Sequence, residues 1–190
     1  MKQINRQTHR TQSALKVAFM QLLQESNYAS ITVGDIAKRA NMGRSTFYRH
    51  YESKPDILLS WHEDIFRDLD LGHYTAEAWL DDNPPFQLTA FFERMADTRM
   101  PFHDFGNDGA YILREIGSRF TQQIESNLEN SFSGIEMEIP LPVVAQALAG
   151  IYVWIFQWWI MNNPPYSSKQ MTTYTHRMVQ GIMLSATRSS

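Results

Sequence analysis

In the run ITVGDIAKRANMGRSTFYRHY, residues 31–51, a helix is started, stopped and started again. Thr32 can cap the first start, and Asp35, three residues on, can reach back to it. This is the capping-box pattern with Asp in place of the usual Glu. Ile31 and Ile36 occupy the positions of a hydrophobic staple, which fixes how the chain enters the helix. Asn41 follows Ala40 and suits the left-handed conformation that ends helices. Gly43 then opens a third helix, on which Phe47 and Tyr51 share an inward face. The preceding stretch TQSALKVAFMQLLQES repeats Leu15, Phe19, Leu22 and Leu23 at helical spacing, so a longer first helix presents an apolar face. Asn27 and Tyr28 close it. Ser53, Lys54, Pro55 and Asp56 form another capped start, with Pro tolerated in the first turn.

Two short helices joined by a tight turn and braced by a longer one describe a helix-turn-helix. In that motif the second helix lies in the major groove of DNA and its first residues reach base edges. Arg44, Ser45, Tyr48 and Arg49 are expected to face outward, with Arg44 nearest the bases. Thr46, His50 and Lys54 are placed to meet phosphates. Gly43 offers only a close approach of its backbone, and Thr32 stands at the start of the first of the two short helices. Charge agrees with this division. Residues 1–54 hold nine Lys and Arg against three acids, a balance of +6, whereas the remainder carries eight against seventeen, a balance of −9. A basic head on an acidic body suits a polyanion.

The stretch ITVGDIAKRANMGRSTFYRHYESKPDILL resembles the DNA-binding signature of TetR-type transcriptional regulators. The resemblance rests on Thr32, Ile36-Ala37, Ala40, Thr46-Phe47-Tyr48, His50-Tyr51, Lys54 and Leu58-Leu59, and with the first helix it spans most of residues 10–60. Two positions depart from the pattern. Asn41 stands where the family usually has Gly, and Gly43 replaces the usual capping Ser or Thr. The resemblance implies an all-α chain of about nine helices, with an N-terminal three-helix helix-turn-helix domain at residues 1–54 and a helical effector-binding and dimerisation domain at 55–190. It implies a homodimer on double-stranded operator DNA, acting as a repressor released by a small molecule. It also matches Lys54 to a phosphate-contacting lysine. A regulator governed by a protein partner, or an activator, would carry the same head. A helical enzyme or a metal-dependent binding protein is the rival from another class.

Beyond the head, Pro55 to about Leu80 reads as a long fourth helix, with Leu58, Trp61, Ile65 and Leu69 on one stripe and Gly72 as the position that breaks or bends it. Asp82-Asn83-Pro84-Pro85 is a turn. PFQLTAFFERMADTRM is a further helix, PFHDFGNDG a loop, and AYILREIGSRFTQQIESNLEN a helix with Ile112, Ile116, Phe120 and Ile124 inward. LPVVAQALAGIYVWIFQWWIM, Leu141 to Met161, has no charged residue and matches the ~20 residues of a membrane span. Gln146 and Gln157 interrupt it, and its flanks EMEIP and NNPPYSSK supply no basic cluster, so burial against protein is expected and no membrane partner. In the last helix, SSKQMTTYTHRMVQGIMLSA, Met171, Tyr174, Met178 and Ile182 recur on a stripe. The resemblance implies that these last two helices pair with their symmetry mates. Ala147, Gly150, Trp154, Tyr174, Met178, Gly181 and Ile182 are the candidate seam, its small residues permitting close approach. Aromatic residues and methionines build cores first. A subset, Trp61, Phe92, Phe105, Tyr111, Tyr152 and Trp158, is the candidate lining of a pocket for an apolar or amphipathic effector.

Several chemistries are excluded or disfavoured. There is no cysteine, which removes disulfides, thiolate metal sites and thiol nucleophiles. No Gly-x-Ser-x-Gly elbow, phosphate-cradling glycine loop or His-Glu-x-x-His occurs. His62-Glu63, His103-Asp104 and Asp70 with His73 are isolated pairs, more typical of surface and caps than of metal sites. Neither a metal nor a cofactor is expected, and no enzymatic activity. The opening MKQINRQTHRTQS lacks the apolar core of a signal peptide, so a cytoplasmic location is expected.

Overall fold

Side chains that satisfy free backbone groups set the helix boundaries in the computed structural model, which describes residues 2–67, 69, 71–97 and 105–187. Among these residues are nine α-helices and no strand. The chain divides into two compact units, Met1–Asp64 with Pro101–Glu115, and Ile65–Met100 with Ile116–Ser190.

In the first unit, α1 (Lys2–Glu25), α2 (Val33–Arg39) and α3 (Arg44–His50) pack on one another, and α4 (Lys54–Arg67) follows. Leu15, Ala18, Phe19 and Leu23 form the buried face of α1, while Leu22 is only half-buried. After α1 the chain makes a short 3-10 turn, Tyr28–Ser30, whose Tyr28 is buried. The Tyr28 ring meets the edge of Phe105 at 5.2 Å between centroids and tilts against Phe19 at 6.2 Å. Helix α4 begins as expected: the Asp56 carboxylate accepts from the Ser53 amide at 2.7 Å and from its hydroxyl at 2.8 Å. This takes up a donor that the first helical turn leaves free.

The expected long helix from Pro55 to Leu80 is broken around Gly72, the position expected to break or bend it. α4 extends to Arg67, a 3-10 turn covers Leu71–His73 with Gly72 inside it, and α5 (Ala76–Leu80) starts afresh. The cause is a competing cap: the Thr75 hydroxyl accepts the Ala78 amide at 3.3 Å and so stabilises a new start. The turn is then fastened from the side. Asn127 accepts from the Trp79 indole at 2.7 Å and donates to the Tyr74 carbonyl at 3.1 Å, where the Ser131 hydroxyl also donates at 2.6 Å. Trp79 is almost wholly buried, and burying a side chain of that size is stabilising by more than about 2 kcal/mol. A continuous helix would forfeit this anchor.

The second unit is completed by α6 (Phe86–Asp97), the later part of α7 (Gly109–Ser131), α8 (Leu141–Met161) and α9 (Ser168–Thr187). The expected helix over residues 85–100 ends in residues 98–100, which lie outside the described residues. Ile112, Ile116, Phe120 and Ile124 are all buried along α7. α9 packs on α5, α6 and α8. Its polar side chains receive the free end of α5: His176 Nε2 donates to the Asp81 carbonyl at 2.8 Å, and Gln180 donates to the Leu80 carbonyl at 3.0 Å. The core is a run of aromatic rings, with Phe66 on Phe120 at 4.4 Å, Phe91 on Phe156 at 5.1 Å, Phe92 on Trp159 at 5.3 Å and Phe120 on Tyr152 at 5.7 Å. Helix α8 is long and apolar enough to cross a membrane. One face of it, from Val144 to Trp159, is nevertheless buried within the chain. The opposite face is not.

Candidate nucleic-acid interface

The turn between α2 and α3 is locked at both ends by the residues that the sequence marks out. The Thr32 hydroxyl accepts the Asp35 amide at 3.2 Å, while the Asp35 carboxylate accepts from the Thr32 amide at 2.9 Å and the Thr32 hydroxyl at 2.6 Å. These bonds, with smaller help from Lys38 and Arg44, hold the Asp35 carboxyl below the usual carboxylate range. Ile31 and Ile36, the staple positions, are both buried. At the other end Asn41 takes a left-handed φ of 54°. The Met42 amide then reaches the Ala37 carbonyl at 2.8 Å, and the Asn41 amide reaches that of Lys38 at 3.0 Å. Paired bonds of this kind close a helix and fix the direction of the exit.

Gly43 is the N-cap of α3, with extended backbone and no side-chain hydrogen bond. Phe47 is wholly buried and Tyr51 nearly so, which fastens α3 from beneath. Arg44, Ser45, Tyr48 and Arg49 are exposed, and Thr46 and His50 are half-buried. Tyr48 stands edge-on to the Phe47 ring at 5.4 Å, so its hydroxyl end projects from a braced aromatic. Gly34, Ala37, Lys38, Asn41 and Arg44 line a shallow groove of about 330 Å³ on this side of the head. The face is polar and cationic, and its hydrogen-bond donors point out of a rigid frame.

Three cations counted in the basic head have partners within the first unit. Lys16 of α1 is paired with Asp64 of α4. Arg39 makes two hydrogen bonds to Glu25, at 2.9 and 2.6 Å, which raise the guanidinium and lower the carboxyl in pKa. Lys54, expected to reach outward, turns inward instead. Its ammonium donates to the Tyr28 carbonyl at 2.7 Å and the Ile31 carbonyl at 3.0 Å, and stands 3.8 Å above the Tyr28 ring. The Tyr28 carbonyl already accepts from the Ile31 amide at 3.2 Å, and the lysine, its stem passing the ring, adds a charged donor there and at Ile31. Burial lowers the Lys54 pKa, opposed by the charge of Asp108. Asp108 in turn accepts from the Tyr28 hydroxyl at 2.6 Å, and burial together with this carboxylate pushes the Tyr28 pKa up. Sequence reasoning missed this Tyr28–Lys54–Asp108 cluster, whose members lie far apart in the chain. It also missed Gly34. An ideal Cβ placed on Gly34 would stand 2.6 Å from Arg44 Nη2.

The other candidate residues fall as follows. Of the suggested pocket lining, Trp61, Phe105 and Tyr111 belong to the first unit and Phe92, Tyr152 and Trp158 to the second. Phe92 and Tyr152 are buried in the aromatic core, Tyr111 and Trp158 are exposed, and Trp61 and Phe105 are half-buried. Of the suggested seam, Ala147, Trp154, Tyr174, Met178 and Gly181 are exposed, and Gly150 and Ile182 are half-exposed. Met171, placed on the same stripe by the sequence, is buried instead. His62 Nδ1 donates to the Leu58 carbonyl at 2.7 Å, and burial pushes its pKa down to about 4. Among the described residues no three acidic or imidazole groups converge on a metal position. Asp70, His103 and Asp104 lie outside the described residues.

Known proteins carry the same head. Residues 15–60 match the family described as bacterial regulatory proteins, tetR family. The HTH-type transcriptional regulator YxbF of Bacillus subtilis is 47% identical over 58 residues, 30% of this chain and 15% of that protein. The HTH-type transcriptional regulator EthR of Mycolicibacterium smegmatis is 32% identical over 73 residues, 38% of this chain and 34% of that protein. These two matches thus span well under half of either relative. Over the whole fold, the crystal structure of a TetR transcriptional regulator from Streptococcus agalactiae is similar, with 28% identity and a TM-score of 0.51 over 92% of this chain and 96% of that one. Residues 15–60 thus carry the DNA-binding head of the tetR family of bacterial regulatory proteins, and the whole chain is similar in fold to a TetR transcriptional regulator.

Proposed function

We propose that this chain is a homodimeric regulator that lays α3 in the major groove of operator DNA and is released by a small apolar or amphipathic molecule. The observation that carries the reading is the split of α3 between a wholly buried Phe47 and an exposed row of Arg44, Ser45, Tyr48 and Arg49. Such a helix is rigid from beneath and rich in donors above, which suits reading of base edges. Arg44 reads a base, and Arg49, Thr46 and His50 meet phosphates. Lys54 keeps one N–H for a phosphate beyond the two it gives to carbonyls.

Dimerisation through α8 and α9 is supported by a second exposed row. Val143, Trp154, Trp158 and Met161 on α8 and Tyr174 and Met178 on α9 are large, apolar and exposed. Trp158, Tyr166 and Tyr174 form a chain of neighbouring rings. A Cβ on Gly150 or Gly181 would meet nothing within 4 Å. Neither glycine is demanded by packing within one chain, which suits the close approach of a second copy. The test is selection of duplexes from a random library by the purified protein. A two-fold symmetric site is expected, bound less tightly as salt rises. Enrichment of no sequence would overturn the reading. For the effector, a screen of small apolar compounds should find molecules that raise thermal stability and weaken the selected complex, with DNA weakening the compound's binding by the same factor.

A further inference from the structure

Arg44 begins α3, yet its guanidinium does not extend freely from the head. It lies back along the first turn of α2, against the backbone of Gly34. An ideal Cβ on Gly34 would stand 2.6 Å from Nη2, 3.0 Å from Nε and 3.2 Å from Cζ of Arg44. Carbon and nitrogen in van der Waals contact need more room than that. The guanidinium therefore occupies space that only glycine at position 34 leaves open. The Asp35 carboxylate, held by Thr32, lies close enough to interact with the Arg44 charge. Among the described residues no hydrogen bond ties the guanidinium to the protein, so its donor fork is left for a partner. Packing and charge aim the side chain, and its recognition chemistry remains unspent.

We propose that Gly34 is a specificity-determining position: its bare backbone forms the slot from which Arg44 addresses DNA, and any side chain there re-aims Arg44. The inference rests on the DNA-binding reading and names a residue on the neighbouring helix that sets what α3 reads. Bidentate recognition of a base by arginine depends on the fork arriving in one plane at one place. A methyl group at 34 does not need to unfold anything to spoil this. The three nearest atoms it meets all belong to the far end of one flexible side chain, and alanine is a better helix residue than glycine. The slot thus separates aim from stability, which a residue in the core could not do.

The experiment compares wild type, Gly34→Ala, Arg44→Ala and the double variant by duplex selection and by titration on operator and scrambled DNA, with thermal unfolding of each. Gly34→Ala is expected to unfold no earlier than wild type, to bind scrambled DNA equally well, and to lose roughly tenfold in discrimination at one base pair per half-site. Added to Arg44→Ala, it should change discrimination no further. The NMR signal of the Arg44 Nε–H in DNA-free protein should move in Gly34→Ala, a readout independent of DNA, and Gly34→Ser serves as a second substitution should the first fold poorly. Unchanged discrimination in Gly34→Ala, or an equal loss with Arg44 already removed, would overturn the inference. If wild type selects no sequence while the Nε–H signal still moves, the DNA-binding reading fails and the specificity role of Gly34 fails with it.

Discussion

Two rows of exposed side chains, one on α3 and one on α8, show how differently a helix is prepared for a partner. The α3 row is short, polar and cationic, and it rides on a helix of seven residues. Alone, such a helix would be marginal, so its order comes from Phe47, Tyr51 and the locked turn before it. The α8 row is apolar and belongs to a helix of 21 residues whose other face is core. That helix needs no partner for its own order, but it leaves Trp154, 60% exposed, and Met161, 58% exposed, in water. Exposed apolar surface on this scale is gained by association. The α3 row loses little in water and gains only with a polyanion. On the proposed reading, one face waits for DNA and the other is covered by a second copy.

The largest expected effect comes from breaking the α8 face. Gly150→Trp puts a bulky ring into space that is open within one chain, so the monomer should fold while the pair cannot close. Sedimentation at micromolar concentration should show a dimer for wild type and monomers or aggregates for the variant. Because each half-site then binds alone, operator affinity should fall on the order of 100-fold or more. A wild type that sediments as a clean monomer would refute the reading of this face.

Breaking the support of α3 should be the next largest. Phe47→Ala removes a fully buried ring and should lower stability by about 3–5 kcal/mol. The loss should fall on the head, so hydrogen exchange in α2 and α3 should quicken while α8 and α9 keep their protection.

A sharper comparison sets Arg44 against Lys54. Arg44→Ala should cost ~1–3 kcal/mol on the operator, with little change in stability or in binding to scrambled DNA. Lys54→Ala should act chiefly on the fold, because it strips two carbonyls of a charged donor, at a cost of about 2 kcal/mol by chemical unfolding. Its effect on the salt dependence of DNA binding should be smaller than that of Arg49→Ala. Should Lys54→Ala leave stability untouched while flattening the salt dependence, the inward placement of its ammonium is not the one that matters.

These residues also mark where sequence patterns suffice and where they stop. The turn from Thr32 to Gly43 is legible because each signal acts within a few residues: Asp35 on Thr32, Met42 on Ala37, Asn41 on its own φ. Helix α8 is legible because an uncharged run leaves few alternatives. A break or bend at Gly72 was legible, but the fresh start at Thr75 was not, since Thr75 wins as a cap only because Trp79 and Asn127 anchor the turn from elsewhere in the second unit. The inward turn of Lys54 depends on Tyr28, Ile31 and Asp108, and the aim of Arg44 depends on Gly34. In each case the deciding partner lies across a turn or far along the chain, where periodicity carries no signal. The outward face of α3 could be read; the settings of its side chains could not.

The smallest effect is at Gly43. Its φ of −80° and ψ of 154° are extended values that any residue adopts, so glycine is not required by the backbone. A Cβ there would meet only the Ser45 hydroxyl, at an ordinary 3.6 Å. Serine should therefore fit, and its hydroxyl can accept one of the free amides in the first turn of α3, as Thr32 does for α2. Because glycine is itself a tolerable cap, Gly43→Ser should stabilise the head by only a few tenths of a kcal/mol. If Gly43 meets DNA through its backbone without crowding, operator affinity should change by less than about twofold, the size of such an energy. Thermal unfolding and operator titration of the one variant measure both quantities. A rise in stability with a many-fold loss of affinity would mean that DNA approaches the Cα of Gly43 too closely for any side chain, and that glycine stands here for the interface at the expense of the cap.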